Sequence, residues 1–490
     1  VFVSSSTNDR RVLIFGVDGL RPDLIDPELM PTFAREIARG TRISEHHAVY
    51  PTHTRVNMSS LTSGCAPGQH GVVANVMRVP GATENGIIDT SSFADLRALD
   101  KASTGPALRV PSLGELLDAH DARVAVAATS SAGAALLWTR LHPYRIVNTN
   151  TAYDRPDLYS LRDKLGEVPP KDADHPHDRL HYAARAVTDI FLDDQECRLI
   201  VNWLADVDSA LHYNGLGSPE SIEAMKACDA ALAHILETME RRGIRDQFDV
   251  LLLSDHGHST VKHHRTLAEY IDRAGIDLES ELQLTTASDF VYAVDGTSPT
   301  AADVEPLVRW FQEQPWAGVV FGGTPEIAAL PGVLPLSAAW NGHLTDRAPL
   351  LAVSPSWTRD TNEQGVPGTI AALTEQVALR STHGSVSPYD LHATAIAVGP
   401  SFREGFVSDT PTGAIDIAPT VLSLLGITPP DHMDGRVIWE TMSNPAGESP
   451  EATTETIEPE TPHSDGFNPS LILHRVGKTT YIHQGENARE

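Results

Sequence analysis

Five nearly continuous apolar runs mark the chain: Arg11–Val17, Arg123–Ala128, Arg198–Leu204, Phe248–Leu253 and Ala393–Val398. Short runs of this kind predict strands covered on both faces, as in a parallel sheet. Helical patterns lie between them, clearest over Pro111–His120 and Ser218–Arg242. In the second, Ser218 is placed to cap the helix, Pro219 to open it and Gly243 to end it. Its apolar stripe is Ile222, Met225, Leu232, Ile235, Leu236 and Met239. Alternating strands and helices predict an α/β fold, a helix–sheet–helix sandwich around a mostly parallel central sheet. Residues 78–110, 139–195 and 260–380 break the alternation and read as inserted cap lobes. A catalytic domain over 1–442 is expected. Residues 443–464, rich in Pro, Glu, Thr and Ser, read as a flexible acidic linker. The 465–490 segment regains β character over Leu471–Ile482, as a docked strand or hairpin would.

Polar clusters sit where the apolar runs end. They are Gly16-Val17-Asp18-Gly19, Pro51 through Asn57, Asp206 through His212, Ser254-Asp255-His256-Gly257-His258 and Thr382-His383-Gly384. In open α/β sheets the carboxyl ends of the strands converge on the ligand site, so Asp18, Asp208 and Asp255 are expected to meet there. Asp208 and His212 are spaced to share one helical face, so both can bind one ion, with His383 completing the set. Asp18, Asp255 and His256 make a second set. Nitrogen and oxygen donors of this kind suit zinc best, with manganese or another divalent metal as the alternative. Two divalent ions about 3.5–4 Å apart can stabilise the attacking and leaving oxygens of a phosphoryl displacement. Singly, each such Asp or His reads as a turn, cap or surface residue; the set together does not.

Composition narrows the partners. Lys and Arg number 37 against 65 Asp and Glu, for a formal charge of −28. A general basic surface for nucleic acid is therefore not expected. A small phosphate- or phosphonate-containing substrate would find its positive charge in bound metals. No apolar run is long enough for a transmembrane helix. The three cysteines favour buried thiols, with one disulfide as the alternative. The chain begins at Val1 and its first strand at Arg11, which points to the cytoplasm, with export after leader removal as the alternative. Oligomeric state is not legible.

These motifs resemble the alkaline phosphatase superfamily, and within it the type I phosphodiesterase/nucleotide pyrophosphatase family. Gly16 through Pro22 resembles the family's opening strand and turn, and Pro51 through Asn57 its nucleophile segment. Ser63-Gly64 through His70-Gly71-Val72 resembles the helix end that follows. Asp208-Ser209-Ala210-Leu211-His212, Ser254 through Gly257 and Thr382-His383-Gly384 resemble its ligand motifs. Asp416 through Thr420 and Met433 through Arg436 resemble its closing core. The resemblance implies an alkaline-phosphatase-like fold. It also implies Thr54 as nucleophile on the metal held by Asp18, Asp255 and His256, and Asn75 as the amide that binds a phosphoryl oxygen. Thr52 is the rival hydroxyl; Asn57 braces the loop. Arg55 stands where the family often has Phe; it can pair with a substrate anion or face solvent. His258, where an apolar residue is usual, is read as a neighbour of the ligands. Cys65-Ala66-Pro67 resembles a sulfatase motif, but Gly68-Gln69 replace its Ser-Arg. The resemblance therefore implies a two-metal hydrolase of phosphate diester or pyrophosphate bonds through a phospho-threonine. Phosphonate hydrolase and phosphomonoesterase are the alternatives, ahead of a phosphomutase or a non-catalytic metal-binding protein.

Overall fold

In a computed structural model, residues 10–140, 142, 145–151, 163–172, 174–373, 378–445, 450–464 and 466–487 are described. An eight-stranded sheet forms the centre. Its strands in chain order are β1 (Arg11–Val17), β2 (Thr41–Ile43), β3 (Arg123–Ala128), β4 (Ile146–Asn148), β5 (Cys197–Leu204), β6 (Phe248–Leu253), β7 (Ala395–Val398) and β8 (Phe406–Ser408). Their spatial order is β8-β2-β7-β6-β1-β5-β3-β4. β1 lies between β5 and β6, parallel to both. The period of two along β1 divides the core. Val12 and Ile14 join one apolar cluster, and Leu13, Phe15 and Val17 the other. Helix α1 (Thr54–Ser63) contributes Met58 and Leu61 to the first cluster. Helix α3 (Pro219–Arg241) contributes Met225, Leu232, Ile235, Leu236 and Met239 to the second. Between β5 and α3 runs helix α2 (Asp206–Asn214). Ser218 caps α3 as expected, its hydroxyl accepting from the Ser221 N–H at 3.1 Å.

One strand departs from the expected parallel sheet. β7 runs antiparallel to both β6 and β2. The chain re-enters the core from the edge where β1, β5 and β6 end. An antiparallel strand starts at that edge, so the segment before β7, with His383, lies there.

Residues 259–382 build two smaller sheets, of four and five strands. The lobe has its own apolar cluster, with Leu267, Val304, Phe311 and Val320. The buried Arg347 guanidinium ties it to the core, donating to the Gly71 and Ala107 carbonyls at 3.1 and 3.0 Å. Residues 78–110 hold strand Ile87–Asp89 and helix Phe93–Lys101. Parts of the expected 139–195 insertion lie outside the described residues.

The expected linker carries a strand. Ala452–Ile457 pairs with Pro469–Val476, which pairs with Thr479–Asn487, all antiparallel. Composition excludes a core for such a segment but not a ladder. Its side chains before Ile457 stay exposed while its backbone groups pair with a neighbour. Residues 446–449 of the expected linker lie outside the described residues. No helix among the described residues is long and apolar enough to cross a membrane.

Gly16 fits its strand to the site. A Cβ there would fall inside the Trp203 ring, and the Trp203 indole N–H donates to Asp18 Oδ2 at 3.2 Å. Gly16→Ala is expected to destabilise by about 1–3 kcal/mol through overpacking. Thermal and denaturant unfolding followed by circular dichroism measure this. An unchanged midpoint would show that the indole moves aside without cost.

Candidate active site

Three parallel strands deliver carboxylates to one edge. Asp18 follows β1, with its N–H bonded to the Leu204 carbonyl at 2.9 Å. Asp255 and His256 follow β6. Asp208 stands in the first turn of α2, after β5, and His212 one turn later. Thr54 opens α1. His383 follows the short strand Ser381–Thr382. Far apart in sequence, these residues form one connected group. Thr54 Oγ1 is 3.2 Å from His256 Nε2. That nitrogen is 3.4 Å from Asp18 Oδ1 and 3.3 Å from Asp255 Oδ2. Asp208 Oδ1 is 3.4 Å from His212 Nε2 and 3.7 Å from His383 Nε2. The His256 and His383 rings stack with centroids 3.6 Å apart, joining the two sets.

The histidine tautomers suit metal ligation. His256 Nδ1 lies 2.9 Å from the Gly257 carbonyl, His383 Nδ1 2.6 Å from that of Thr52, and His212 Nδ1 2.8 Å from that of Ser381. A carbonyl only accepts, so each Nδ1 carries the proton and each Nε2 presents its lone pair to the site. Two carboxylate oxygens complete the test of fit. Asp18 Oδ1 and Asp255 Oδ2 are buried without a hydrogen-bond partner among the described residues. Orphaned buried acceptors are costly unless a cation or donor faces them. Burial, then the charges of Asp255 and Asp208, push the Asp18 carboxyl well above its ordinary range. Burial likewise raises Asp255. Burial would also raise Asp208, but His212 and the hydrogen bond from His258 hold it below the usual carboxylate range. Burial keeps His256 and His383 neutral. The residues therefore fit divalent metal ions.

The grouping differs from the sequence expectation in one respect. Asp208, His256, His258 and His383 have ligand atoms within 4.8 Å of one another, as do Asp18, Asp255 and His256. His256 thus belongs to both groups. His258 is closer to Asp208 than His212 is, with Nε2 2.8 Å from Oδ1, and its Nδ1 lies 3.2 Å from Ser381 Oγ. Gly19, with φ at +70°, leaves room for that ring, because a Cβ would come within 2.8 Å of it.

Around Thr54 lies a polar cleft of about 350 Å³, lined in part by Arg55, Asn75, His212, Tyr213 and His383. Asn75 Oδ1 accepts from the Arg55 N–H at 3.2 Å, which leaves its amide NH₂ for another partner. Arg55 is partly buried, and its Nε has no hydrogen-bond partner among the described residues. Asn57 braces the loop, accepting from the Val49 N–H at 2.7 Å and donating to the His53 carbonyl at 3.1 Å. Thr52 is spent on structure: its hydroxyl donates to the Ser385 carbonyl and accepts from the Gly384 N–H. Cys65 is buried and its thiol pushed up to about 12 by burial, so it is no nucleophile. Sequence reasoning missed one pair beside Thr54. His53 Nε2 lies 3.5 Å from Asp289 Oδ2, and His53 Nδ1 accepts from the Asn75 N–H at 3.3 Å. Asp289 comes from the inserted lobe, where no periodicity links it to His53.

Residues 12–316 match the sequence profile described as type I phosphodiesterase/nucleotide pyrophosphatase. The chain belongs to this family. Similar to it is a venom phosphodiesterase of Macrovipera lebetinus, 24% identical over 271 residues, which are 54% of this chain and 27% of that protein. Human ectonucleotide pyrophosphatase/phosphodiesterase family member 1 is 23% identical over 263 residues, 53% of this chain and 25% of that protein. The chain thus spans about a quarter of the length of the curated relatives it matches. Among solved structures, murine ectonucleotide pyrophosphatase/phosphodiesterase 5 superposes with a TM-score of 0.62 at 17% identity, covering 89% of this chain and all of that one. One of those structures is an inactive threonine-to-alanine variant in complex with AMP. The likeness establishes the alkaline-phosphatase-like fold. His383 lies beyond the segment that matches the family profile, and the fold carries it back to Asp208 and the other candidate ligands.

Proposed function

We propose that this phosphodiesterase-family chain hydrolyses phosphate diester or pyrophosphate bonds through a covalent phospho-threonine at Thr54. The observation that carries this reading is the Thr54 hydroxyl, 3.2 Å from His256 Nε2 and beside the orphaned oxygens of Asp18 and Asp255. Two divalent ions, zinc best, are assigned to Asp18, Thr54, Asp255 and His256, and to Asp208, His212 and His383. Such ions supply positive charge to phosphoryl oxygens and lower the pKa of hydroxyl and water. Thr54 Oγ1 forms a bond to phosphorus as the bond to the departing oxygen breaks, and the hydroxyl proton passes to solvent. Water then attacks phosphorus and gives up a proton, the Thr54 oxygen leaves and takes up a proton, and the enzyme is restored. The free amide NH₂ of Asn75 is placed to donate to a non-bridging oxygen. Asn75→Ala is expected to lower kcat about 10²-fold, as for loss of one preorganised donor. Unchanged steady-state rates would remove Asn75 from the site.

A diester carries less negative charge than a monoester and needs less positive charge beyond two ions. The two metal sets alone therefore favour diesters, and kcat/KM is expected to be higher for an aryl phosphodiester than for the monoester of the same leaving group. The phosphomonoesterase reading rests on Arg55, which is partly buried beside Thr54 with Nε unpartnered among the described residues. It is suited to the extra monoester oxygen. Arg55→Ala is expected to harm the monoester reaction more than the diester reaction. A parent enzyme with a wide monoester preference would make this a phosphatase. Equal losses for both substrates would mean that Arg55 serves a contact common to them.

A further inference from the structure

A second group of imidazoles lies away from the cleft, between the core and the C-terminal sheet. Glu45 and His47 flank and form the strand His46–His47, His392 follows the helix Pro388–Leu391, and His483 comes from the last strand. We propose that Glu45, His47, His392 and His483 bind one structural zinc ion that clamps the C-terminal sheet to the core.

The spacing fits a tetrahedral ion. Ligand distances of about 2.0–2.1 Å place tetrahedral donors roughly 3.3–3.4 Å apart. His392 Nε2 and His483 Nδ1 are 3.2 Å apart. Glu45 Oε2 is 3.7 Å from His47 Nε2 and 3.8 Å from His483 Nδ1. One donor atom from each of the four lies within 4.8 Å of the others. The tautomer of His47 is set by its surroundings: Nδ1 lies 3.0 Å from the Thr412 carbonyl and must carry the proton. Nε2 is left with a lone pair aimed into the group. The His47 side chain is only 1% exposed, yet Nε2 and Glu45 Oε2 have no hydrogen-bond partner among the described residues. Orphaned buried acceptors facing two further imidazoles are the signature of a cation site more than of packing. Hydrogen bonds can join His392 to His483, but they leave His47 Nε2 and Glu45 Oε2 unsatisfied.

Four protein donors make a closed set, which suits a structural ion and leaves no position for substrate. His474 walls one side, its ring centroid 4.7 Å from that of His483 and its Nδ1 held by Thr454 Oγ1 at 3.2 Å. Ligands therefore come from the core and from the terminal strand. Other ties join the same pieces: the Tyr481 hydroxyl donates to Asp416 Oδ2 at 2.8 Å, and the Gly485 N–H to the Val386 carbonyl at 2.8 Å. The ion adds a linkage that depends on free zinc.

The test is elemental analysis of zinc-equilibrated full-length protein, paired with thermal unfolding in zinc and in chelator. His483→Ala and, separately, Glu45→Gln are compared with the parent. Each variant is expected to hold one zinc per chain fewer than the parent and to lose part of the zinc-dependent rise in Tm. This difference of one is independent of the catalytic sets, so it survives a failure of the two-metal reading, which would lower all counts alike. Glu45→Gln changes no packing volume, so it gives the answer if His483→Ala disturbs the sheet. Equal zinc content in the parent and Glu45→Gln would overturn the site, as would an equal zinc-dependent Tm rise.

Discussion

Thr54→Ala should lower turnover by roughly 10⁴-fold or more, the scale on which removing a catalytic nucleophile acts. It should leave the fold and most of the metal in place, since Asp18, Asp255 and His256 remain to hold the ion beside it. The physical grounds are local. Thr54 is the first residue of α1, and its hydroxyl is hydrogen-bonded to His256 Nε2 at 3.2 Å. Alanine keeps the helix and leaves no new buried donor. Thr54→Ser keeps the hydroxyl and should retain part of the rate. Thr52→Ala is the control in the same loop. It loses hydrogen bonds to Ser385 and Gly384, so its effect should fall on stability, about 1–3 kcal/mol, with far less on chemistry. Steady-state hydrolysis of an aryl diester measures the rates. Mass spectrometry of acid-quenched protein should find a phosphoryl adduct on the peptide with Thr54 and none in Thr54→Ala. Parental turnover by Thr54→Ala would sink the covalent mechanism.

Much of the sheet was legible because its strands are buried on both faces. Arg11–Val17, Arg123–Ala128 and Phe248–Leu253 carry the same bounds in the sequence reading and in the structure. Direction was not legible, since an apolar run has none, and β7 proved antiparallel. The strand Ala452–Ile457 was hidden for a related reason. Composition reports what a segment can bury, while an edge strand needs only a partner ladder. At the site, Asp208 and His212 were legible from helical spacing, and Asp18 and Asp255 from their place after apolar runs. His383 was offered to complete their set, although no spacing ties it to them. His258 was noticed, yet its bond to Asp208 depends on Gly19 making room, a fact of packing that no spacing reveals. His53 with Asp289, and Glu45 with His392 and His483, were illegible because each pairing crosses separate lobes or layers.

Stripping metal should cost more than the roughly 10²–10³-fold that loss of one preorganised donor costs, because the charge of both ions goes at once. Zinc should restore the rate. The electrostatics of the stripped protein give a sharper test than activity. Asp18 is buried beside Asp255 and Asp208, and burial with their repulsion pushes its carboxyl well above the ordinary range. In the metal-free state Asp18 therefore tends to hold a proton that binding a cation must expel. Zinc titration by calorimetry in buffers of different ionisation enthalpy should thus show proton release, growing as pH falls. Asp255→Asn reverses sign between the two states. Without metal it removes a repulsion while an amide oxygen still accepts from the Gly19 N–H, now 3.2 Å from Asp255 Oδ1, so Tm should rise. With zinc it removes a ligand, so Tm, metal content and turnover should all fall. A purely structural Asp255 would change Tm in the same direction under both conditions, and that outcome, or full activity in protein shown to be free of metal, would end the two-metal reading.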